Sequence, residues 1–148
     1  FDAVGDSELD AGSAVIMFDL DHFKTINDQF GHAAGDAVLE SFGRLVQHGI
    51  RSGDLAARLG GEEFCVVLRD LPRQSASAVA ERIRSGFSAG ASKALRGMHE
   101  ATVSAGIAVS GVDGEAFESV LRRADEALYA AKSAGRNRVH APALRLIA

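Results

Sequence analysis

The chain has no tryptophan, a single cysteine, no run of basic residues and no long apolar stretch. Each absence excludes something. A lone cysteine, Cys65, cannot close an internal disulfide, which favours a reducing compartment. Set within Phe64-Cys65-Val66-Val67-Leu68, it reads as a small core residue and not as a reactive thiol. A formal net charge of -4 argues against a nucleic-acid binder that works through a broad basic surface. No apolar run approaches the ~18 residues of a membrane span, and no charged start precedes an apolar stretch, so neither a span nor a signal peptide is expected. The domain is therefore expected in the cytoplasm without membrane contact of its own, although a parent protein can still be membrane-anchored.

What the chain does have is a carboxylate-bearing turn. Gly60-Gly61-Glu62-Glu63 sits between Ala56-Ala57-Arg58-Leu59 and Phe64-Cys65-Val66-Val67-Leu68. A two-residue connection with glycine between two strand-like runs is a hairpin signal. Adjacent carboxylates on such a turn repel each other, and a bound cation is the natural reason to keep them there. A second acidic pair, Asp19 and Asp21, closes the apolar run Val15-Ile16-Met17-Phe18. Two strand-end carboxylate clusters point to a hard-metal site for phosphate chemistry.

At 148 residues the chain is read as one domain, 1–148, large enough to bury a core. Ala14 to Phe18 is expected as a strand, and Phe23 to Phe30 as a short helix stopped by Gly31. Helical periodicity runs from Gly35 through Val38, Leu39, Phe42, Leu45 and Val46. The hairpin Leu55 to Leu68 follows, then a turn at Pro72, a helix from Ser75 to about Phe87, and a loop from Gly90 to Glu100. Thr102 to Val109 reads as a strand, Glu115 to Ala134 as the most regular helix with Gly135 as its stop, and Arg138 to His140 as a last strand. The order β-α-α-β-β-α-β-α-β predicts an α+β domain, an antiparallel-rich ferredoxin-like sheet flanked by helices.

The polar residues supply candidates for binding. If the first strand and the hairpin are neighbours, Asp19 and Glu62 can each offer an oxygen to one divalent ion, which takes only one or two protein carboxylates beside substrate phosphates. Lys24 is placed to neutralise a phosphate. Lys132 and Arg136, at the end of the long helix, can clamp phosphates or serve the helix dipole. Asn27 and Asp36 are candidate base readers, since a carboxylate accepts from the amino and ring N–H donors of guanine and adenine offers no such pair. Both also have an ordinary reading, as a surface helix residue and a first-turn acid.

Asp19 through Phe23, Gly60-Gly61-Glu62-Glu63-Phe64, Val103-Ser104-Ala105-Gly106, Ala124-Asp125, Leu128-Tyr129 through Lys132 and Gly135-Arg136-Asn137-Arg138 together resemble the GGDEF family of diguanylate cyclases. The likeness runs from about Ala14 to Val139. It implies a polymerase-palm-like fold that condenses two GTP into cyclic di-GMP and two pyrophosphates, working as a homodimer with Mg²⁺ (or Mn²⁺). By position, the resemblance implies that Asp19, the Leu20 carbonyl, Glu62 and Glu63 hold the metal. Glu62 is then the candidate for activating the ribose 3′-hydroxyl, with Glu63 as a further catalytic carboxylate. Asn27 and Asp36 would contact guanine with His32 nearby, and Lys24, Lys132 and Arg136 would contact phosphates.

Arg51-Ser52-Gly53-Asp54 matches the family's R-x-x-D inhibitory site, where product is expected on Arg51, Asp54 and Arg82. The alternative is a local salt link on a loop. Leu55 to Leu59 spans roughly 17 Å of extended strand, which puts this site away from the acidic turn. The family's D-x-L-T-x-L-x-N-R element has no counterpart ahead of the first strand. The chain thus reads as a C-terminal part of a longer signalling protein with a sensory domain upstream. The rival function is a catalytically weak domain that senses GTP or cyclic di-GMP.

Overall fold

The computed structural model describes residues 8–69, 73–95 and 100–142. In chain order the elements are β1 (Glu8–Leu9), β2 (Ala14–Leu20), α1 (Phe23–Phe30), α2 (His32–Gly49), β3 (Leu55–Gly60), β4 (Glu63–Leu68), α3 (Arg73–Ala94), β5 (Val103–Val109), β6 (Glu115–Ala116), α4 (Phe117–Ser133) and β7 (Val139–His140). A five-stranded sheet has the order β3-β4-β2-β5-β7. Every pairing in it is antiparallel except β5 with β7. This is the α+β sheet expected from the pattern of elements, in the palm-like form that the family resemblance implied.

β2 holds the centre because its side chains are apolar on both faces until Asp19, and all its residues are buried. Alternation along the strand divides them between two cores. Ala14, Ile16, Phe18 and Leu20 pack with residues of α1, α2 and α3, including Ile26, Val38, Phe42, Ile83 and Phe87. Val15 and Met17 pack on the other face with Cys65, Val67 and α4, through Val120, Ala124 and Leu128. Phe42 is the hub of the larger core, edge-on to Phe18, Phe64 and Phe87 at centroid distances of 5.4, 4.9 and 5.1 Å. Such pairs contribute roughly 0.5–1.5 kcal/mol each beyond burial. Cys65 is fully buried, and burial pushes its thiol up to about 12, as suits a core residue.

The structure departs from the sequence expectation in three places. α3 continues to Ala94, so the first part of the expected loop from Gly90 is helical. That stretch lacks an apolar stripe, and its alanines sustain the helix by intrinsic propensity instead. Glu115–Ala116 belongs to a strand, and α4 begins at Phe117. β6 pairs with β1 in a small two-stranded ribbon, whose elements are too short to carry a periodic signal. The turn expected at Pro72 lies outside the described residues. Among the described residues no helix is long and apolar enough to cross a membrane.

Candidate active site

Asp19 continues the row of β2 side chains that faces α4, and α4 must lie close for any of its residues to reach it. Gly106 on β5 permits this. A Cβ there would lie 2.1 Å from the Leu128 backbone nitrogen and 2.4 Å from the Ala124 carbonyl oxygen. With no side chain in the way, the helix backbone rests on the strand. The last turn of α4 then brings Lys132 to Asp19, where its ammonium donates to the carboxylate. On the other side of β2, Asp19 lies in register opposite Glu63. The Leu20 N–H donates to the Glu62 carbonyl at 3.2 Å, tying the hairpin tip to the strand end. Asp19 and the acidic turn, 43 positions apart in numbering at Glu62, therefore meet as the sequence implied.

The electrostatics of this corner are crowded. Burial is the main cause that raises the Asp19 carboxyl above its ordinary value. Lys132 opposes it, and the negative charges of Glu62 and Asp21 add to it. Glu63 is raised too, first by burial and then by Asp19 and Asp125. Asp19, Leu20, Lys24, Glu62, Lys132 and Arg136 all line one open cleft of about 210 Å³. Hard oxygen donors at Asp19, the Leu20 carbonyl and Glu62 fit Mg²⁺ or Mn²⁺. Among the described residues no three metal-binding side chains converge into a closed cage.

Arg136 reaches the cleft from an unusual loop. α4 ends with the Gly135 N–H donating to Lys132 O (3.2 Å) and the Arg136 N–H to Ala131 O (3.1 Å), a Schellman termination with Gly135 at φ 122°. Arg136 and Asn137 follow at φ 65° and 49°. A left-handed non-glycine residue costs on the order of 1–2 kcal/mol and needs support. Asp21 supplies part of it. Its carboxylate accepts from Thr102 Oγ1 (2.7 Å), Ser104 Oγ (2.7 Å) and the Asn137 N–H (3.0 Å). Asp21 therefore differs from Asp19. Its oxygens are engaged by Thr102, Ser104 and the loop, so Asp21, which also lines the cleft, helps to hold the loop in place.

The opposite face of the hairpin carries a second hollow, about 230 Å³, lined by Asp36, Leu39, Glu40, Arg58 and Phe64. Asn27 lies beside it in the chain of contacts. A Cβ on Gly35 would sit 1.8 Å from Asn27 Oδ1, so the Asn27 amide lies over the first turn of α2, next to Asp36. Asn27 thus packs on the turn that leads into Asp36, while His32 is exposed at the start of the same helix. Arg58 donates to the Gly61 carbonyl at 2.8 Å and joins the acidic turn to this hollow. Sequence reasoning did not single out Arg58. Its alternation with Leu59 ahead of the glycines was the available signal.

Arg51 and Asp54 form the loop pair expected from their spacing, in a closed version. Asp54 Oδ2 accepts from the Arg51 N–H (2.9 Å) and Nε (3.2 Å), and Oδ1 accepts from Arg51 Nη2 (3.2 Å) and the Arg69 N–H (3.1 Å). Burial would raise the Asp54 carboxyl, but hydrogen bonds from Arg51 and Arg69 prevail and hold it below its ordinary value. The Asp54 side chain is 2% exposed and that of Arg51 is 55% exposed. A hollow of about 410 Å³ here is lined by Arg51, Gly53, Asp54 and Arg69. Arg82, on α3, donates to the Gly49 carbonyl at 2.8 Å, which places it at the end of α2 just before Arg51.

Comparison with known proteins agrees with this geometry. The family model described as "Diguanylate cyclase, GGDEF domain" matches residues 6–138. Diguanylate cyclase A of Treponema denticola is 44% identical over 126 residues, covering 85% of this chain and 34% of that protein. The response regulator PleD of Caulobacter vibrioides is 41% identical over 128 residues, covering 85% of this chain and 28% of that protein. The chain thus spans about a third of the length of these curated relatives. Among solved structures, the active GGEEF domain of a diguanylate cyclase from Vibrio cholerae superposes with a TM-score of 0.83 at 35% identity, covering 91% of this chain and 85% of that one. The GGDEF domain of DgcB from Caulobacter crescentus, in complex with c-di-GMP, gives a TM-score of 0.79 at 34% identity, covering 88% and 78%. With the match spanning nearly all of the chain, and the acidic hairpin, Asp19 and Lys132 gathered at one corner of a palm-like sheet, the protein belongs to the GGDEF family of diguanylate cyclase domains.

Proposed function

We propose that the chain is a working diguanylate cyclase, which joins two GTP molecules into cyclic di-GMP and releases two pyrophosphates. The observation that carries this reading is the pair of hollows on either face of one hairpin tip, one acidic with basic residues at its rim and one bearing Asp36. A nucleotide laid across the tip has its triphosphate at Asp19, Lys24, Lys132 and Arg136 and its base at Asn27 and Asp36, with His32 nearby. Guanine satisfies the Asp36 carboxylate with two donors, whereas adenine offers it no such pair, so GTP is preferred.

Asp19, the Leu20 carbonyl, Glu62 and Glu63 would hold Mg²⁺ or Mn²⁺. When bound, such ions polarise the phosphate and lower the proton affinity of the attacking hydroxyl oxygen. The chain's own groups do the remainder. Glu62 takes the 3′-hydroxyl proton as the ribose oxygen bonds to the α-phosphorus of the other nucleotide and the bond to pyrophosphate breaks. Lys132 and Arg136 bind the negative charge that accumulates on the departing pyrophosphate. The product contains two equivalent 3′–5′ bonds, so two such sites must face each other about a two-fold axis. Arg51, Asp54 and Arg82 form the product site, with Asp54 holding the Arg51 guanidinium outward and Arg69 adding a further base. The domain, 1–148, works in the cytoplasm as the output part of a longer signalling protein whose sensory domain sets how often two copies meet.

Purified protein incubated with GTP and Mg²⁺ should yield a product with the mass of cyclic di-GMP, and its rate per protomer should rise with protein concentration. Binding of cyclic di-GMP without any turnover, over the whole concentration range, would leave the sensing function in place of the enzyme.

A further inference from the structure

The loop that presents Arg136 is held from two sides, and the second holder lies on a distant element. Asp21 grips the Asn137 N–H from the sheet side. From the other side, Arg84 of α3 donates through Nη1 to Asn137 Oδ1 at 2.7 Å, across 53 positions of sequence. Arg84 is itself fixed, because its Nε donates to Glu81 Oε2 at 2.9 Å and its Nη2 to Glu81 Oε1. Its side chain is only 19% exposed. Hydrogen bonding to Glu81 is also the leading cause that raises the Arg84 guanidinium and lowers the Glu81 carboxyl. The residue between these two grips and Gly135 is Arg136, whose left-handed backbone (φ 65°) needs support from its neighbours.

We propose that Arg84 is a positioning residue for polyphosphate binding: with Asp21 it clamps Asn137, and the clamp keeps Arg136 turned into the cleft beside Lys132 and Asp19. The chain of contacts is continuous, from Glu81 to Arg84 to Asn137 Oδ1, and from the Asn137 N–H to Asp21, Thr102 and Ser104. Arg138 Nε donates to the Arg136 carbonyl at 3.0 Å, and the Arg138 carbonyl accepts from the Ala105 N–H at 2.9 Å. These bonds anchor the far end of the loop to β5. The near end is the termination of α4. Between them, the Asn137 N–H is held from the sheet side by Asp21, and its side-chain oxygen is held by Arg84. A structural salt link between Glu81 and Arg84 alone does not call for the third bond.

This inference rests on the reading that Arg136 contacts the triphosphate, and the test separates the two. The probes are 3′-deoxy-GTP, which lacks the attacking hydroxyl and cannot be condensed, and GMP, which lacks the β and γ phosphates. Calorimetry with Mg²⁺ is expected to show Arg84→Ala weakening 3′-deoxy-GTP about tenfold, within the coupling range of neighbouring groups, while GMP affinity stays unchanged. Arg136→Ala should weaken 3′-deoxy-GTP at least as much, and adding Arg84→Ala to it should cause no further loss. Unchanged 3′-deoxy-GTP affinity in Arg136→Ala overturns the phosphate role of Arg136, and the clamp with it. A normal loss in Arg136→Ala with either no loss in Arg84→Ala or a fully additive double variant overturns the clamp alone. Equal weakening of GMP and 3′-deoxy-GTP in Arg84→Ala marks a general structural role and also overturns it. If Arg84→Ala does not fold, Asn137→Gly takes its place. That substitution still permits the left-handed backbone, removes the side-chain amide that Arg84 holds, and must give the same selective loss.

Discussion

Asp19 and Asp54 are both buried aspartates with a basic side chain held against them, yet their carboxyls are displaced in opposite directions. At Asp54 the surroundings supply only donors. Arg51 contributes its guanidinium and backbone N–H, Arg69 contributes its N–H, and no acid lies among the groups that act on it. At Asp19 a single ammonium is set against burial and two further acids. At one corner the carboxylate is matched by donors on every side. At the other several acids crowd one another, and burial raises Asp19 and Glu63 further. An aspartate beside a base is therefore no guide to function until the remaining neighbours are counted.

The largest effect is expected where the acids crowd. Glu62→Gln keeps the size of the side chain and removes the carboxylate proposed as proton acceptor and metal ligand, so turnover should fall at least about 100-fold, as for loss of a preorganised charged group. Circular dichroism should remain unchanged, because Glu62 ties to β2 through its backbone carbonyl. Near-normal cyclic di-GMP production by this variant would remove Glu62 from the chemistry. At the settled corner the expected loss is smaller and concerns product alone. Arg51→Ala should weaken cyclic di-GMP binding roughly ten- to hundredfold, the loss of charge-assisted hydrogen bonds, with little change in initial rate. Calorimetry showing undiminished product affinity would reduce Arg51 and Asp54 to a loop salt link.

The sequence made most of this legible where periodicity or turn chemistry was strong. The strand expected over Ala14 to Phe18 (two residues longer in the structure), the acidic hairpin and the stop at Gly135 all follow from local pattern, and so does the meeting of Asp19 with the hairpin tip once the order of strands is known. What stayed hidden is chiefly non-local. Asp21 stands two residues from Asp19 and looks like the same kind of acid. It separates from Asp19 only because β2 ends at Leu20 and β5 brings Thr102 and Ser104 beneath it. Arg84 is one arginine among several on α3, and its partner lies in a loop on the far side of the sequence. The extension of α3 to Ala94 was hidden for a different reason, since small residues stabilise a helix without marking a buried face.

The two aspartates should also part company in stability, in a way that depends on pH. Asp54 has a folded value below its ordinary 3.8, so its contribution is complete above pH 3.8 and is lost as pH falls through the lower folded value. Asp54→Asn should therefore destabilise the domain at pH 7, by about 1–3 kcal/mol for a buried group with charge-assisted partners. The difference from wild type should close on acidification below the ordinary value. Asp19 has the opposite sign. Its folded value lies above 3.8, so the native state binds the proton more tightly than the unfolded chain. Stability then declines as pH rises between 3.8 and the raised value, and the penalty persists at pH 7. Asparagine imitates the protonated form, and Asp19→Asn should be more stable than wild type at pH 7 in EDTA, with the gain vanishing below pH 3.8. Adding Mg²⁺ should stabilise wild type by mass action and the variant less, which narrows the gap. Urea unfolding at two pH values, with and without Mg²⁺, reads all four terms. If both substitutions destabilise equally at pH 7 in EDTA, the two corners share one electrostatic character and the contrast between them fails.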